Sequence, residues 1–139
     1  MTYKELAQRF MKEAWSGNVE LVDELVAPDA QGPHDGQFAT GPEGWRQEIE
    51  LVRSGLPDLR VEVVQMVEEG TAIAVRWRSR GTHSGTLFGI PPTGKRVEID
   101  GLSLFHVRDG KLSDHISLED RFSLLTQLGV VPGTERSNA

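Results

Sequence analysis

The sequence predicts a single α+β domain, in which a curved, cone-shaped antiparallel sheet is partly covered by N-terminal helices and followed by one short C-terminal helix. Apolar residues recur at helical spacing through roughly the first 55 positions. From Leu59 onward the period changes to two, the repeat of half-buried strands. A last run at helical spacing, from Phe122 to Leu128, follows the final strand. Helices, strands and a closing helix in this order predict helices packed against a sheet.

Three helices are predicted before the sheet. Residues 2–5 fit a capping box, in which a threonine and a glutamate satisfy free amide groups at a helix start. Asn18 is placed to cap a second helix, which Pro28 closes. Pro42 lies in the first turn of a third helix, where its missing N–H costs nothing. Residues 31–40, between the second and third helices, carry glycine and proline and predict a loop or a short strand.

Four segments of the sequence are predicted to be strands. Alternation starts at Leu59 and its phase slips at Val63-Val64, which predicts a β-bulge. Residues 72–80 and 95–107 each alternate again. Asp109-Gly110 predicts a tight hairpin turn, because both residue types tolerate a positive φ. The last strand follows this turn and gives way to the closing helix at an acidic pair.

Both side-chain phases of the strand over residues 95–107 are partly apolar. One phase carries Val97 and Phe105, and the other carries Leu102 and Leu104. Large apolar faces are usually covered in folded proteins. One face is therefore expected to meet the helices or a cavity, and the other a second sheet, so that a homodimer is predicted. The sequence leaves open which phase lines the cavity.

Composition excludes several classes of protein. A chain of 139 residues suits one domain with a real core, expected over residues 1–131 with a polar tail over residues 132–139. The net charge of −6 offers no basic stripe for nucleic acid. The lack of cysteine excludes disulfides and thiolate metal sites, and no clustered histidine pair predicts a metal. With no signal peptide or membrane-spanning run, a cytoplasmic location is expected.

Several short motifs occur together in the second half of the chain. They are Gly-Thr-His-Ser-Gly at 81–85, Gly-Ile-Pro-Pro-Thr-Gly at 89–94, Asp-Gly-Lys at 109–111, Asp-His at 114–115, the aspartate at 120, and Gln-Leu-Gly at 127–129. In this combination the sequence resembles the SnoaL-like polyketide cyclase family over roughly residues 2–129. That family belongs to the nuclear-transport-factor-2-like superfamily of cone-shaped α+β folds, whose members differ in reaction.

The resemblance implies a mechanism and a set of residues. Cyclases of this family close a polyketide ring by intramolecular aldol chemistry without metal or cofactor. An aspartate at the strand-to-helix junction removes an α-proton, and polar groups that include a histidine hold the enolate oxygen. Asp120 matches this aspartate, and His106 matches a histidine at the end of the preceding long strand. His34 lies on the loop after the second helix, where many members have a polar residue.

Each predicted catalytic residue also has a structural interpretation. Asp120 could simply cap the last helix, a role worth about 1 kcal/mol. His106 could be a structural histidine on a partly apolar strand phase. Asp100 could fix the tautomer of His106, or it could pair with an arginine at the surface. If Asp120 faces the cavity, strict alternation turns His115 away from it, and Glu119 is expected to be solvated.

The remaining candidates are predicted to bind substrate. Leu104 and Leu118 are expected to give the catalytic carboxylate an apolar surrounding, which would raise its pKa. Trp45 and Trp77 could form an aromatic wall for a flat polycyclic compound, although core packing explains them equally well.

These inferences together predict a cofactor-free enzyme that acts on a hydrophobic, polyketide-like or aromatic carbonyl compound. Asp120 is the predicted base, and His106 is the predicted donor to the enolate oxygen. The product would be an aldol-type ring or an isomer. The alternatives are a binding protein for a small hydrophobic ligand, a cofactor-independent hydroxylase of the same fold, and an interaction module without a cavity.

Overall fold

The computed structural model describes residues 1–131, except for the side chains at positions 35 and 36. The predicted tail over residues 132–139 lies outside the described residues. The helices, in chain order, are α1 (Tyr3–Gln8), which continues as a π-helical segment (Arg9–Ala14), α2 (Leu21–Leu25), α3 (Pro33–Gly36), α4 (Pro42–Gly55) and α5 (Arg121–Gln127). The strands are β1 (Arg60–Glu69), β2 (Ala72–Thr82), β3 (Arg96–Arg108) and β4 (Lys111–Glu119). The predicted α+β class is confirmed.

The helix starts agree with the sequence in two of three cases. The Thr2 hydroxyl accepts a hydrogen bond from the Glu5 amide, and the Glu5 carboxylate accepts one from the Thr2 amide, so the predicted capping box is confirmed. Pro42 is the first residue of α4, as predicted. Helix α2 begins three residues after Asn18, because residues 18–22 are held by i→i+3 hydrogen bonds of a tighter turn. The segment predicted as a loop contains the single turn α3.

The four strands form one antiparallel sheet in the order β1-β2-β3-β4. The register between β1 and β2 shifts between Val63 and Gln65, which confirms the predicted bulge. Val26 forms an isolated parallel bridge with Leu112, so the chain after α2 lies against the start of β4. The helices cover one face of this sheet, called the inner face below.

The register decides which side chains share the inner face. Phe105 pairs with His115, and Ser103 pairs with Ser117, so the odd-numbered residues of β3 and those of β4 from His115 onward point inward together. Phe105 is fully buried, and its ring packs against Phe10 from the π-helical segment at a centroid distance of 5.6 Å. Odd numbering therefore identifies the inner face on β3 and, beyond the register shift, on β4, whereas before the shift the fully buried residue of β4 is Leu112.

The opposite, outer face has a polar half and an apolar half. Arginines of β2 pair with carboxylates of β1 and β3, for example Arg80 with Glu62 and Glu98. Across β3 and β4 lie four exposed apolar side chains, called the outer apolar patch: Leu102, Leu104, Ile116 and Leu118. In the described part of the chain, no helix has both the length and the apolar character needed to cross a membrane.

Candidate active site

A cavity of about 620 Å³ lies between the inner face of the sheet and the helices. Phe10 and Val52 line it from the helical side, and Trp77 and Ile99 line it from the sheet. Cavities of this volume, with apolar walls and a few convergent polar groups, are typical of small-molecule sites. The polar groups that converge here come from α3, α4 and β4.

Glu48 is the acidic group buried deepest in this cavity. It lies on the same stripe of α4 as Trp45, Ile49 and Val52, at helical spacings of three and four residues. Its residue surface is 8% exposed. Burial raises the pKa of the Glu48 carboxyl, the nearby His34 ring partly opposes this, and the negative charge of Glu119 adds to the rise. A carboxylate with a raised pKa is a stronger base than an exposed one.

His34 holds one oxygen of that carboxylate. Its Nε2 lies 2.5 Å from Oε2 of Glu48, and its side chain is 46% exposed. The backbone of His34 has a φ of +55°, a left-handed conformation that costs a non-glycine residue about 1–2 kcal/mol. The surrounding loop is tied down, because the Trp45 indole donates to the Gln31 carbonyl over 2.9 Å. The Gln31 amide in turn donates to the Ser113 carbonyl of β4 over 3.1 Å.

His115 lies beside Glu48 on the sheet side. Its side chain is 5% exposed, and its Nε2 is 3.8 Å from Oε1 of Glu48, which is too long for a hydrogen bond. The ring packs against Trp45 at a centroid distance of 4.4 Å. Burial, together with the nearby His34, lowers the pKa of His115 to about 4. The imidazole is therefore neutral at pH 7, and within residues 1–131 its Nε2 has no hydrogen-bond partner.

Two serines of the inner face connect His115 to Trp77. The Trp77 indole N–H donates to Oγ of Ser103 over 2.9 Å, and Oγ of Ser103 lies 2.6 Å from Oγ of Ser117. Oγ of Ser117 lies 3.3 Å from Nδ1 of His115. All four residues line the cavity. A chain of polar groups thus crosses its sheet side and ends at the histidine next to Glu48.

Charged residues line another part of the cavity. The Arg121 guanidinium carbon lies 3.8 Å from the centre of the Phe88 ring, and its Nε lies 2.5 Å from Oε2 of Glu119. All three residues line the cavity. The side chain of Glu119, which the sequence analysis expected to be solvated, is 29% exposed at this part of the cavity. Within residues 1–131, no group of three or more histidine, aspartate or glutamate side chains is arranged to hold a metal ion.

The structure brings three of the eight predicted site residues to this cavity. His34, Trp77 and Leu118 line it, with Leu118 at an open edge where it is 71% exposed. Trp45 is fully buried in the core, where its ring packs on Phe10 at 5.3 Å. Its contact with His115 makes it a support for the site, and its predicted place in the cavity wall is corrected.

The other four predicted residues lie elsewhere. Asp120 is the N-cap of α5, where its Oδ1 accepts a hydrogen bond from the Ser123 amide over 3.0 Å. Asp100 pairs with Arg78 on the outer face over 2.8 Å. His106 and Leu104 are also exposed on the outer face. For the three β3 residues the physical reason is the strand phase: the odd-numbered residues of β3 face the cavity, so the predictions that placed Asp100, Leu104 and His106 at the site are corrected.

Sequence reasoning missed Glu48 and His115. Glu48 is an acidic residue in an otherwise apolar helical stripe, and that position is a usable signal for a buried functional carboxylate. His115 was set aside because it alternates with Asp120, and the alternation itself is correct. An inward-facing Asp120 was the condition for turning His115 away, and Asp120 lies one residue beyond the last strand. A residue outside the strand cannot define the phase of that strand.

Known proteins resemble this chain over most of its length. Residues 5–128 match the sequence profile of the SnoaL-like polyketide cyclases. Nogalonic acid methyl ester cyclase of Streptomyces nogalater is 32% identical over 117 residues, which are 82% of this chain and 87% of that protein. The structure of IdmH of Streptomyces antibioticus is 33% identical with a TM-score of 0.77, covering 91% of this chain and 98% of IdmH. TsrD of Streptomyces laurentii is 27% identical with a TM-score of 0.85, covering 92% of this chain and 95% of TsrD. The chain belongs to the SnoaL-like polyketide cyclase family.

Proposed function

We propose that this protein is a cyclase that closes a ring in a hydrophobic, polyketide-derived carbonyl compound by an intramolecular aldol reaction. The observation that carries the proposal is a buried carboxylate, Glu48, which faces a cavity of about 620 Å³ beside a neutral histidine. A relative with 32% identity is named as the cyclase of a polyketide methyl ester. An apolar cavity with one base and one hydrogen-bond donor suits a substrate of that class.

Glu48 is the proposed base. Its Oε2 is held by His34 at 2.5 Å, which leaves Oε1 to approach a C–H bond next to a carbonyl group. Burial raises the pKa of Glu48 and so brings its base strength closer to that needed for an acidic α-proton. The tied loop around His34 keeps the carboxylate in one orientation, which lowers the entropic cost of the reaction.

His115 is the proposed donor to the substrate oxygen. Its Nε2 lies 3.8 Å from Oε1 of Glu48, so the base and the donor are close enough to meet the α-proton and the oxygen of the same enolisable group. Glu48 takes the α-proton and the electron pair of the C–H bond becomes an enolate, whose oxygen accepts a hydrogen bond from His115. The enolate carbon then attacks a second carbonyl carbon of the same molecule. Glu48 returns the proton to the new alkoxide, so no cofactor is consumed.

The role of Asp120 as base stays a prediction, and a matched pair of variants tests it. Glu48→Gln and Asp120→Asn each replace a carboxylate by an amide of the same shape. Asparagine also caps helices well, so Asp120→Asn should keep α5 intact. With nogalonic acid methyl ester as the probe, we expect Glu48→Gln to lower kcat by about 10²–10⁴-fold, while Asp120→Asn keeps a near wild-type rate. The reverse result would assign the base to Asp120.

The same assay separates the alternative functions. Ring closure that proceeds equally under oxygen and nitrogen supports the cyclase. A product that contains an added oxygen atom and forms only in air would point to a hydroxylase. Probe that binds with measurable affinity and is recovered unchanged would point to a binding protein. The cytoplasmic location expected from the sequence stays a prediction.

The outer apolar patch is the surface proposed for a homodimer. Its side chains, of which Ile116 and Leu118 are 68% and 71% exposed, form one apolar area across two neighbouring strands. Such areas on a sheet face are commonly buried against another subunit. Ile116→Lys should shift the protein to monomer in sedimentation equilibrium, whereas Val67→Lys, on the opposite edge strand, should not. A monomeric wild-type protein would end the proposal.

A further inference from the structure

We infer that Trp77 is a positioning residue, which acts through Ser103 and Ser117 to place the ring proton of His115 on Nε2. The inference deepens the proposed function, on which its catalytic consequence rests. Its structural part, the tautomer of one buried histidine, can be measured without any substrate.

The direction of the hydrogen bonds begins at the indole. The Nε1–H of tryptophan can donate a hydrogen bond and cannot accept one. At 2.9 Å from Oγ of Ser103, Trp77 therefore makes that oxygen an acceptor. Ser103 is buried, and in the part of the chain that the structure describes its hydroxyl has one further partner, Oγ of Ser117 at 2.6 Å. The Ser103 hydrogen must point to that oxygen, or it would be buried without an acceptor.

The same reasoning continues for one more step. Ser117 accepts from Ser103, so its own hydrogen is free to be donated. The described acceptor within reach is Nδ1 of His115, at 3.3 Å. A nitrogen that accepts a hydrogen bond carries a lone pair, and in a neutral imidazole the proton is then on the other nitrogen. His115 is neutral at pH 7 because its pKa is lowered to about 4 by burial. The proton is thus on Nε2, the atom next to Glu48.

A glycine on the neighbouring strand makes room for the indole in this arrangement. Trp77 pairs with Gly101 across β2 and β3, and its ring lies directly over that glycine. A Cβ at position 101 would lie 2.0 Å from Cζ2 of Trp77, well inside contact distance. Glycine is therefore required at this position, because it leaves room for the ring to lie along β3 with its N–H directed at Ser103.

The consequence for catalysis concerns the sign of the charge that His115 presents. With the proton on Nε2, the buried unpartnered nitrogen is a donor that can stabilise the oxygen of an enolate. With the proton on Nδ1, the same atom would present a lone pair and repel that oxygen. The hydrogen-bonded chain from Trp77 through Ser103 and Ser117 to His115, called the relay below, thus favours carbonyl compounds that develop negative charge on oxygen beside Glu48.

The test is NMR of uniformly 15N-labelled protein at pH 7. Protonated and unprotonated ring nitrogens have well-separated 15N shifts, and the signals of His115 are assigned by their loss in His115→Leu. In the wild type we expect Nε2 protonated and Nδ1 unprotonated. Ser117→Ala and Trp77→Phe should each move the signals toward a mixture of tautomers. Ser79→Ala, on the same sheet face and outside the relay, should leave them unchanged.

Two results would overturn the inference. One is a wild-type His115 with its proton on Nδ1, and the other is an unchanged tautomer in both Ser117→Ala and Trp77→Phe. Two relay variants are used because Ser117→Ala alters less packing than the loss of the indole. With the cyclase probe, Ser117→Ala should lower kcat by about tenfold with little change in KM, the pattern of an interaction made in the transition state. Loss of the proposed function would appear separately, as an unaffected rate in Glu48→Gln with the tautomer still on Nε2.

Discussion

Each face of the β3–β4 hairpin has a histidine beside a carboxylate, and the two pairs are in opposite environments. On the outer face, Nδ1 of His106 lies 2.8 Å from Oδ1 of Asp114, with side chains 46% and 43% exposed. On the inner face, Nε2 of His115 lies 3.8 Å from Oε1 of Glu48, with side chains 5% and 10% exposed. Burial lowers the pKa of His115 and raises that of Glu48. Solvent access, rather than residue type, gives an imidazole and a carboxylate chemical properties of use in catalysis.

The two pairs also differ in how they are built. His106 and Asp114 are opposite each other in the register of adjacent strands, so local pairing alone brings them together. The inner pair joins β4 to α4. The position of His115 relative to Glu48 depends on the packing of the Trp45 ring against the His115 ring. A pair held by tertiary packing keeps its geometry when water is excluded, and this is the condition under which electrostatic stabilisation is strongest.

The largest effect that this comparison predicts is on turnover. His115→Leu removes the proposed donor to the enolate oxygen while it keeps an apolar side chain in a buried site. We expect kcat for nogalonic acid methyl ester to fall by about 10²–10³-fold, the usual loss for one oxyanion donor. His106→Leu on the outer face is the matched control, and its kcat should equal that of the wild type. Equal losses of kcat in both variants would contradict the proposed difference between the inner and outer faces.

The second prediction is a pH dependence of stability that belongs to His115. Its pKa is about 4 in the folded protein, against an ordinary histidine pKa of 6.5. The folded state therefore binds fewer protons, and the stability present above pH 6.5 is lost as the pH falls toward 4. The loss is about 3 kcal/mol for a shift of this size. The nearby charge of His34 adds to this lowering of the His115 pKa, and the charge of Asp114 opposes it.

The measurement is urea unfolding of wild type and His115→Leu at pH 7 and pH 4. Glu48 has a raised pKa, so its own contribution has the opposite sign, and taking the difference between the two proteins largely removes it. The wild type should lose about 3 kcal/mol more than the variant between the two pH values. Parallel pH profiles for the two proteins would show that the imidazole is solvated in the folded state.

The third prediction compares neighbouring residues of β3 that point to opposite faces. Gly101→Ala places a Cβ 2.0 Å from the Trp77 ring, and the ring must shift within a packed face. We expect a loss of about 1–3 kcal/mol in the free energy of unfolding. Leu102→Ala removes a side chain that is 52% exposed and should cost less than Gly101→Ala in the same thermal or urea assay. A tolerated Gly101→Ala would mean that the indole is free to move.

Sequence patterns were sufficient for most of the fold because most of its elements follow from local signals. The capping box at Thr2, the proline that opens α4 and the bulge at Val64 are all decided by residues near one another in the chain. The family resemblance, which extends over most of the chain, agrees with the matched profile. The α+β architecture and the family were therefore within reach of the sequence.

The candidate site was less accessible to sequence reasoning because it depends on a sheet phase. Alternation gives two sets of residues and does not say which set meets the helices. The decision requires the register of β3 with β4, as in the pairing of Phe105 with His115. Helix α4 posed a different problem, since Glu48 is a single acidic residue in an otherwise apolar stripe. The sheet phase depends on long-range packing, which a pattern within one segment does not record, whereas the acidic residue in the apolar stripe of α4 is visible in the sequence.

The smallest effect is expected on the outer face, where the His106–Asp114 pair is open to water. Exposed ion pairs contribute about 0.2–1 kcal/mol, because solvent and salt screen their attraction. Asp114→Asn should therefore change the free energy of unfolding in urea by no more than this amount and leave kcat for the cyclase probe unchanged. Added salt should reduce this difference in the free energy of unfolding, so wild type and Asp114→Asn are best compared at low and at high ionic strength. A loss of turnover in Asp114→Asn at normal stability would show that the outer pair, too, communicates with the cavity, and the contrast between the two faces would then have to be given up.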